Sequence, residues 1–315
     1  MSCRTLVVAS ALSIATVFGA AASARQARII NGQVAPVAGG RLTPTFQSLI
    51  ASTTDVAWIG YTVPVKDRDR IMCCWSNGSG SFSGSVAADS APCCGSCRIE
   101  PATSGTRVPE TTGTPRDAAA ASPAGPVKLE ESHRMLVLVR VANRQVDRVR
   151  TFSEDCEIDA GGRTVHLIET VDPAESVALL ASMVRSEPER KSRVTTGALA
   201  ALAQHDEASA GTALATLARE HASSAVRGDA IFWLGQLAGR QAAAMITEAI
   251  DKDPETEVKR RAVFALSQLP RNEGVPLLID VARKNTNPAV RKQAIFWLSQ
   301  SKDPRALEFF AEILR

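Results

Sequence analysis

Four valines spaced 32 residues apart, Val194, Val226, Val258 and Val290, constrain this chain more than any other feature. Ala198, Ala230, Ala262 and Ala294 follow four residues on, and Leu202, Leu234, Leu266 and Leu298 eight residues on. At about 100° per residue, such positions share one side of an α-helix. A second apolar set keeps step ahead of the valines. It comprises Leu214, Leu217 and Ala218, then Ile246, Ala249 and Ile250, then Leu278, Val281 and Ala282, then Phe310, Ile313 and Leu314. A fixed period of 32 residues therefore predicts two helices per unit, A and B, stacked so that each pair buries the apolar face of the next. Leu180, Met183 and Val184 fit with a two-residue shift, which gives four pairs over about 173–301 and a closing half-repeat over 305–315. Asp172-Pro173 supplies an N-cap and a first helical proline for the opening helix.

The frames VTTGALAALA, VRGDAIFWLG, VKRRAVFALS and VRKQAIFWLS resemble the HEAT repeat, in the short bacterial form also found in phycobilisome lyases. The resemblance covers about 173–315 and implies an α-solenoid that holds a partner. It also implies a ladder in which an acidic or amide residue ending helix A pairs with a basic residue opening helix B. The matching positions are Glu189/Thr195, His221/Arg227, Asp253/Lys259 and Asn285/Arg291, so two of the four depart from the acid–base pattern. Basic residues at a helix start oppose the helix dipole, and a carboxylate or amide neighbour compensates them. The ladder is accordingly read as structural rather than as a phosphate site.

Ahead of the repeats the text changes character. Residues 1–24 read as a cleaved signal peptide, with Arg4, an apolar stretch from Leu6 to Phe18, and Ala22-Ser23-Ala24. Residues 25–55 carry Gly39-Gly40, Pro36 and Pro44 and read as a flexible lead-in. A small β-rich domain is expected over 56–171, with strands at Val56–Val65, Arg70–Trp75, Met135–Ala142, Val146–Phe152 and Thr164–Val171. The stretch 100–125 is poor in large apolar residues and reads as a disordered insertion. The fold class expected is thus mainly α: a HEAT-type solenoid preceded by a small cysteine-containing β-rich domain.

The formal charge of +3 and the single tyrosine give no footprint for nucleic acid, and no later stretch is long and apolar enough to span a bilayer. Beyond Cys3, six cysteines remain: Cys73, Cys74, Cys93, Cys94, Cys97 and Cys156. An even count in an exported chain reads first as disulfides. A thiolate metal site or a redox pair at Cys94-Gly95-Ser96-Cys97 are the alternatives. The four histidines form no recognisable catalytic set, and Asp155, Glu157 and Asp159 lack the spacing of a calcium loop.

Within each B helix, Trp233 and Trp297 fall on the valine side and are expected in the core. Six residues after the valine, on the far side, stand Phe232, Phe264 and Phe296. Beside them lie Arg261 and, ten residues after the valine, Gln236, Gln268 and Gln300. This Phe/Gln stripe is the candidate partner-binding face; its alternative is packing of each Phe on the next repeat. The function expected is an exported, periplasmic or secreted, non-catalytic scaffold docking a protein or peptide, with no cofactor. The alternatives are a lyase- or chaperone-like factor for a tetrapyrrole and a thiol or metal role for the cysteines.

Overall fold

A computed structural model describes residues 28–66, 97–100, 133–154, 156–185, 193–237 and 240–314. The expected signal peptide, the strand at Arg70–Trp75, residues 101–125 of the insertion, Cys73, Cys74, Cys93, Cys94, Asp155 and Glu189 lie outside them. The strands are Arg28–Ile30 (β1), Gln33–Val37 (β2), Ala57–Pro64 (β3), Cys97–Arg98 (β4), Arg134–Ala142 (β5), Gln145–Ser153 (β6), Glu157–Asp159 (β7) and Thr164–Ile168 (β8). They form a five-stranded sheet in the order β2-β8-β3-β5-β6 and a small parallel sheet in the order β1-β7-β4. The helix Leu42–Ser52 (α1) lies between β2 and β3 in sequence.

Residues 25–55 are therefore no mere lead-in. They supply β1, β2 and α1, and the sheet region begins well before residue 56. Two local signals mislead here. Pro44 sits in the first turn of α1, where a missing N–H costs nothing. Pro36 sits on the edge strand β2, whose parallel partners on β8 are over a hundred residues away, as with Gln33 and Thr164. Leu42 and Phe46, one helical turn apart, anchor α1 in the core.

β5 and β6 make a hairpin closed by Asn143 and Arg144, both at positive φ, as a two-residue turn matched to strand twist requires. One face of the large sheet presents Trp58, Leu136, Leu138, Phe152 and Val165 to the small sheet, whose Ile99, Ile158 and Ala160 complete a satellite core. Glu100, expected as the first residue of the insertion, is buried there. It accepts from Trp58 Nε1 at 2.9 Å and pairs with Arg140 Nε at 2.6 Å. The buried indole N–H and guanidinium both need an acceptor, and Glu100 is the residue that supplies it. Glu157 and Asp159 are engaged by Arg28 at 3.2 Å and Arg98 at 3.4 Å. Cys156, also in this core, is disulfide-bonded.

The helical half contains Pro173–Ser182 (α2), Arg193–Gln204 (α3), Ala208–Glu220 (α4), Ser224–Gln236 (α5), Arg240–Lys252 (α6), Thr256–Gln268 (α7), Arg271–Lys284 (α8), Pro288–Ser299 (α9) and Pro304–Ile313 (α10). Asp172, Asn287 and Asp303 each accept from the backbone N–H two residues on, and each is followed by a proline. A sheet of five strands thus leads into four helix pairs and a final helix.

The two halves share one core, which runs unbroken from Ile59 and Val137 on the sheet to Leu298 on α9. α3 lies along the edge strand β6, where Gly197 approaches so closely that a Cβ there would stand 2.1 Å from the Val149 carbonyl oxygen. The edge of the sheet is covered by this contact. Beyond it, Lys66 N donates to Gln204 O at 2.9 Å and Asp206 N to Pro64 O at 3.1 Å, tying the end of β3 to the α3–α4 turn.

A buried polar trio sits at the same junction. Ser176 Oγ on α2 donates to Tyr61 Oη on β3 at 3.2 Å, and His205 Nε2 lies 3.1 Å from Ser176 Oγ. Nδ1 of His205 has no partner. Ser176 is 0% and His205 2% exposed, so the pair is closed to a substrate and reads as structural. Burial lowers the His205 pKa from 6.5 to about 4, outweighing the nearby Glu207 and Asp206 charges. The folded chain therefore holds a neutral imidazole that the unfolded chain protonates below pH 6.5. Stability present above pH 6.5 should be lost as pH falls towards 4, by about 2 kcal/mol at pH 5 and about 3 in all. Urea unfolding at pH 7.5 and 5 should show that loss in the native chain, and most of it should vanish in His205→Gln.

Candidate docking face

The A–B turns at His221–Ser223, Asp253–Glu255 and Asn285–Asn287 are built from one plan with different residues. The position five before the valine accepts from a backbone N–H two residues on. His221 Nδ1 takes Ser223 N at 3.1 Å, Asp253 Oδ1 takes Glu255 N at 2.9 Å, and Asn285 Oδ1 takes Asn287 N at 3.0 Å. The residue after the valine donates to the last carbonyls of helix A. Arg227 reaches His221 O at 3.0 Å, Lys259 reaches Asp251 O at 2.8 Å and Arg291 reaches Asn285 O at 2.8 Å. In the first repeat Thr195 Oγ1 takes this role against Arg185 O at 3.3 Å.

These contacts correct the expected ladder. Among the described residues the paired positions do not meet side chain to side chain within a repeat; each satisfies the backbone of the turn. A cation at the start of helix B is compensated because it lies on the carbonyl end of helix A, where positive charge is favoured. The side-chain ion pair of this set runs between repeats instead. Arg227 grips Asp253 of the next unit with two bonds, Nε to Oδ2 at 2.7 Å and a terminal nitrogen to Oδ1 at 3.1 Å. Both side chains are at most 10% exposed. The separation of 26 residues, one period less six, was the signal for it.

On the opposite side of the B helices the aromatic residues form a continuous row. Phe232 of α5 stacks on Phe264 of α7, with ring centroids 5.9 Å apart and planes 7° from parallel. Phe264 meets Trp297 of α9 at 4.9 Å, and Trp297 meets Phe296 edge-on at 5.0 Å. Trp233 joins Phe232 at 5.3 Å. Phe232 and Phe264 are half-buried by this stacking, whereas Phe296 is 50% exposed. Phe232 and Phe264 thus each pack on the next unit, whereas Phe296 meets only Trp297 of its own helix and the row opens to solvent there.

Trp233 and Trp297 are not fully in the core. They bridge from the core to the row, and Trp297 Nε1 is buried with no acceptor. Both stand on the valine side by helical position, as expected, but a ring this large reaches round to the stripe. Gln268 and Gln300 each donate to the preceding serine, Ser267 at 3.1 Å and Ser299 at 3.2 Å, and those serines bond the Phe264 and Phe296 carbonyls. Gln236 lacks this relay because Gly235 stands where the serine would be, 3.0 Å by its built Cβ from Ala265. Arg261 is held by Asp229 of the preceding unit and by Glu257 at 3.8 Å, so it fixes adjacent units before it meets any partner. Among the described residues no group of three or more His, Cys, Asp or Glu is placed to hold a metal ion.

The family description "HEAT repeats" matches residues 211–285 and 243–315. The C-terminal region is built of HEAT repeats. Solved structures similar to it include human deoxyhypusine hydroxylase in complex with glycerol, at 21% identity over 46% of this chain and 45% of that one, with a TM-score of 0.32. The complex of CpcE and CpcF of phycocyanin lyase from Nostoc sp. PCC7120 is 20% identical over 45% of this chain and 90% of that one, with a TM-score of 0.34. The Escherichia coli protein YibA is 22% identical over 45% and 54%, with a TM-score of 0.31. The chain spans less than half the length of the human protein. No curated protein matches the sequence. HEAT repeats generally mediate protein interactions, and the aromatic row runs along the B helices of three of the repeats seen here. No described helix is long and apolar enough to cross a membrane.

Proposed function

We infer that the chain is an exported, non-catalytic binding protein whose HEAT solenoid docks a protein or peptide segment on the Phe232–Phe264–Trp297–Phe296 row. The observation that carries this reading is the continuity of ring contacts across three units, ending in a half-exposed Phe296 beside the exposed Gln268 and Gln300. An aromatic surface with exposed amide groups along it suits an extended segment offering apolar side chains and backbone carbonyls. A disulfide at Cys156 supports an oxidising compartment, and we extend the disulfide assignment to Cys73, Cys74, Cys93, Cys94 and Cys97.

The decisive comparison is affinity capture from cell-envelope extract with the native chain and with Phe296→Ser. A half-exposed side chain tolerates that change, so unfolding free energy should move by under about 1 kcal/mol. Capture of a partner should fall at least about tenfold, as expected for an aromatic anchor. Equal capture by both would remove the row from the binding face. An absorbance titration with a bilin tests the tetrapyrrole alternative on the same two proteins.

A further inference from the structure

Where α3 lies along the edge strand β6, four arginines gather. Arg140 on β5 stands directly opposite Arg148 on β6 in the strand register, and Arg150 follows two residues on, on the same face. Arg193, the first residue of α3, adds its charge from the helix laid along β6. Two carboxylates answer these cations, and one arginine takes both: Arg140 Nε pairs with Glu100 at 2.6 Å and its Nη1 pairs with Asp147. Arg150 donates to the Arg98 carbonyl at 3.1 Å and lies over the Phe152 ring at 4.7 Å. Arg148 is half-buried, yet it makes no hydrogen bond or ion pair among the described residues; nor does the exposed Arg193. Thr195, not Arg193, bonds the preceding carbonyl at this turn. Burial, and then the like charges of Arg193, Arg150 and Arg140, hold the Arg148 guanidinium below its ordinary range.

Like charges directly opposite on paired strands destabilise a sheet, and a cation half removed from water without a partner adds to that cost. A local rule broken with no compensation inside the chain points to a group outside it. We propose that Arg148 and Arg193 bind a dianionic oxyanion of the phosphate class, with Arg150 beside them. Four guanidinium charges against two carboxylates leave an excess that one dianion neutralises. The planar N–H forks of arginine match phosphate oxygens, and an anion is favoured at the positive end of α3, where a bare cation is not. So small an excess suits a single phosphate group rather than a long polyanion.

The test is isothermal titration of the full chain, with its disulfides intact, by inorganic phosphate in a chloride buffer of constant ionic strength. One phosphate should bind per chain, saturably, with a dissociation constant of about 1 mM or below. Arg148→Gln should weaken binding at least about tenfold, and Arg193→Gln should weaken it in the same direction. Lys292→Gln, which removes an exposed charge on α9, should leave it unchanged. Without phosphate, Arg148→Gln should unfold at no lower temperature than the native chain, because it relieves repulsion. Glycerol phosphate as a second probe separates the sources: tighter binding of inorganic phosphate marks the free ion, and tighter binding of the ester marks an organic monoester. No saturable binding of either up to about 10 mM overturns the proposal. Equal weakening in all three variants overturns it too, since net charge alone would then act. An Arg148→Gln chain that is less stable and binds phosphate as before would assign the residue to the fold. None of these arginines lies in the aromatic row, so failure of one proposal leaves the other standing.

Discussion

Gly197→Ala should destabilise the chain by about 3 kcal/mol or more, at the upper end of overpacking costs, although the same change in an open helix is favourable. The added Cβ would stand 2.1 Å from the Val149 carbonyl oxygen, which is backbone and has no rotamer to escape into. Either α3 lifts from β6 and uncovers the sheet edge, or the strand shifts and disturbs its pairing with β5. Gly211→Ala is the matched control. It lies in α4 with nothing within 4 Å of a built Cβ, so it should stabilise by about 0.5–1 kcal/mol. Urea unfolding of the two variants beside the native chain gives opposite signs if α3 is docked as described. A Gly197→Ala chain as stable as the native one would mean that the close approach does not exist.

Asp253→Ala should cost about 3–5 kcal/mol, because it strands the buried Arg227 guanidinium. The Asp253 carboxylate also accepts from Glu255 N in the turn before α7, and loss of that bond contributes about 1 kcal/mol of the total. Arg227→Leu/Asp253→Leu should recover most of the loss, since two apolar side chains of similar size need no partner. A double-mutant cycle in denaturant measures the coupling. A value near zero would show the pair to be no better than a surface ion pair, despite its burial.

The helical half was legible because its determinants are local and repeated. Val194 to Val290 fixed the B helices, and Leu214 to Leu314 the A helices, from spacing alone. The parts that were not legible depend on residues far apart. α1 is held by Leu42 and Phe46 against helices and strands, and its first N–H is taken by Glu175, 133 residues on. β1 and β2 are short and half exposed, and become strands only by pairing with β7 and β8. In the candidate face, the phenylalanines and glutamines could be placed by helical geometry. The role of Trp297 could not, because the reach of its ring into the neighbouring unit depends on how the units stack. The turn residues misled for a different cause: the period showed which positions correspond but not whether they bond to side chains or to backbone.

The ties between consecutive units are unequal, and this gives the solenoid a direction. At its base, the sheet and the Tyr61–Ser176–His205 trio fasten the first unit. The next junction is riveted by the Arg227–Asp253 clamp. At the equivalent place one unit on, Lys259 and Asn285 each turn to backbone instead, and adjacent units meet through lighter contacts such as Asn287 to Thr256 at 2.9 Å. The polar ties between units are thus buried near the sheet and exposed further on, where Arg283 pairs with Glu312 and Arg305 donates to Arg271 O. A partner arriving at Phe296 would then meet units whose polar ties are open to solvent, and so open to competition from the partner's own groups.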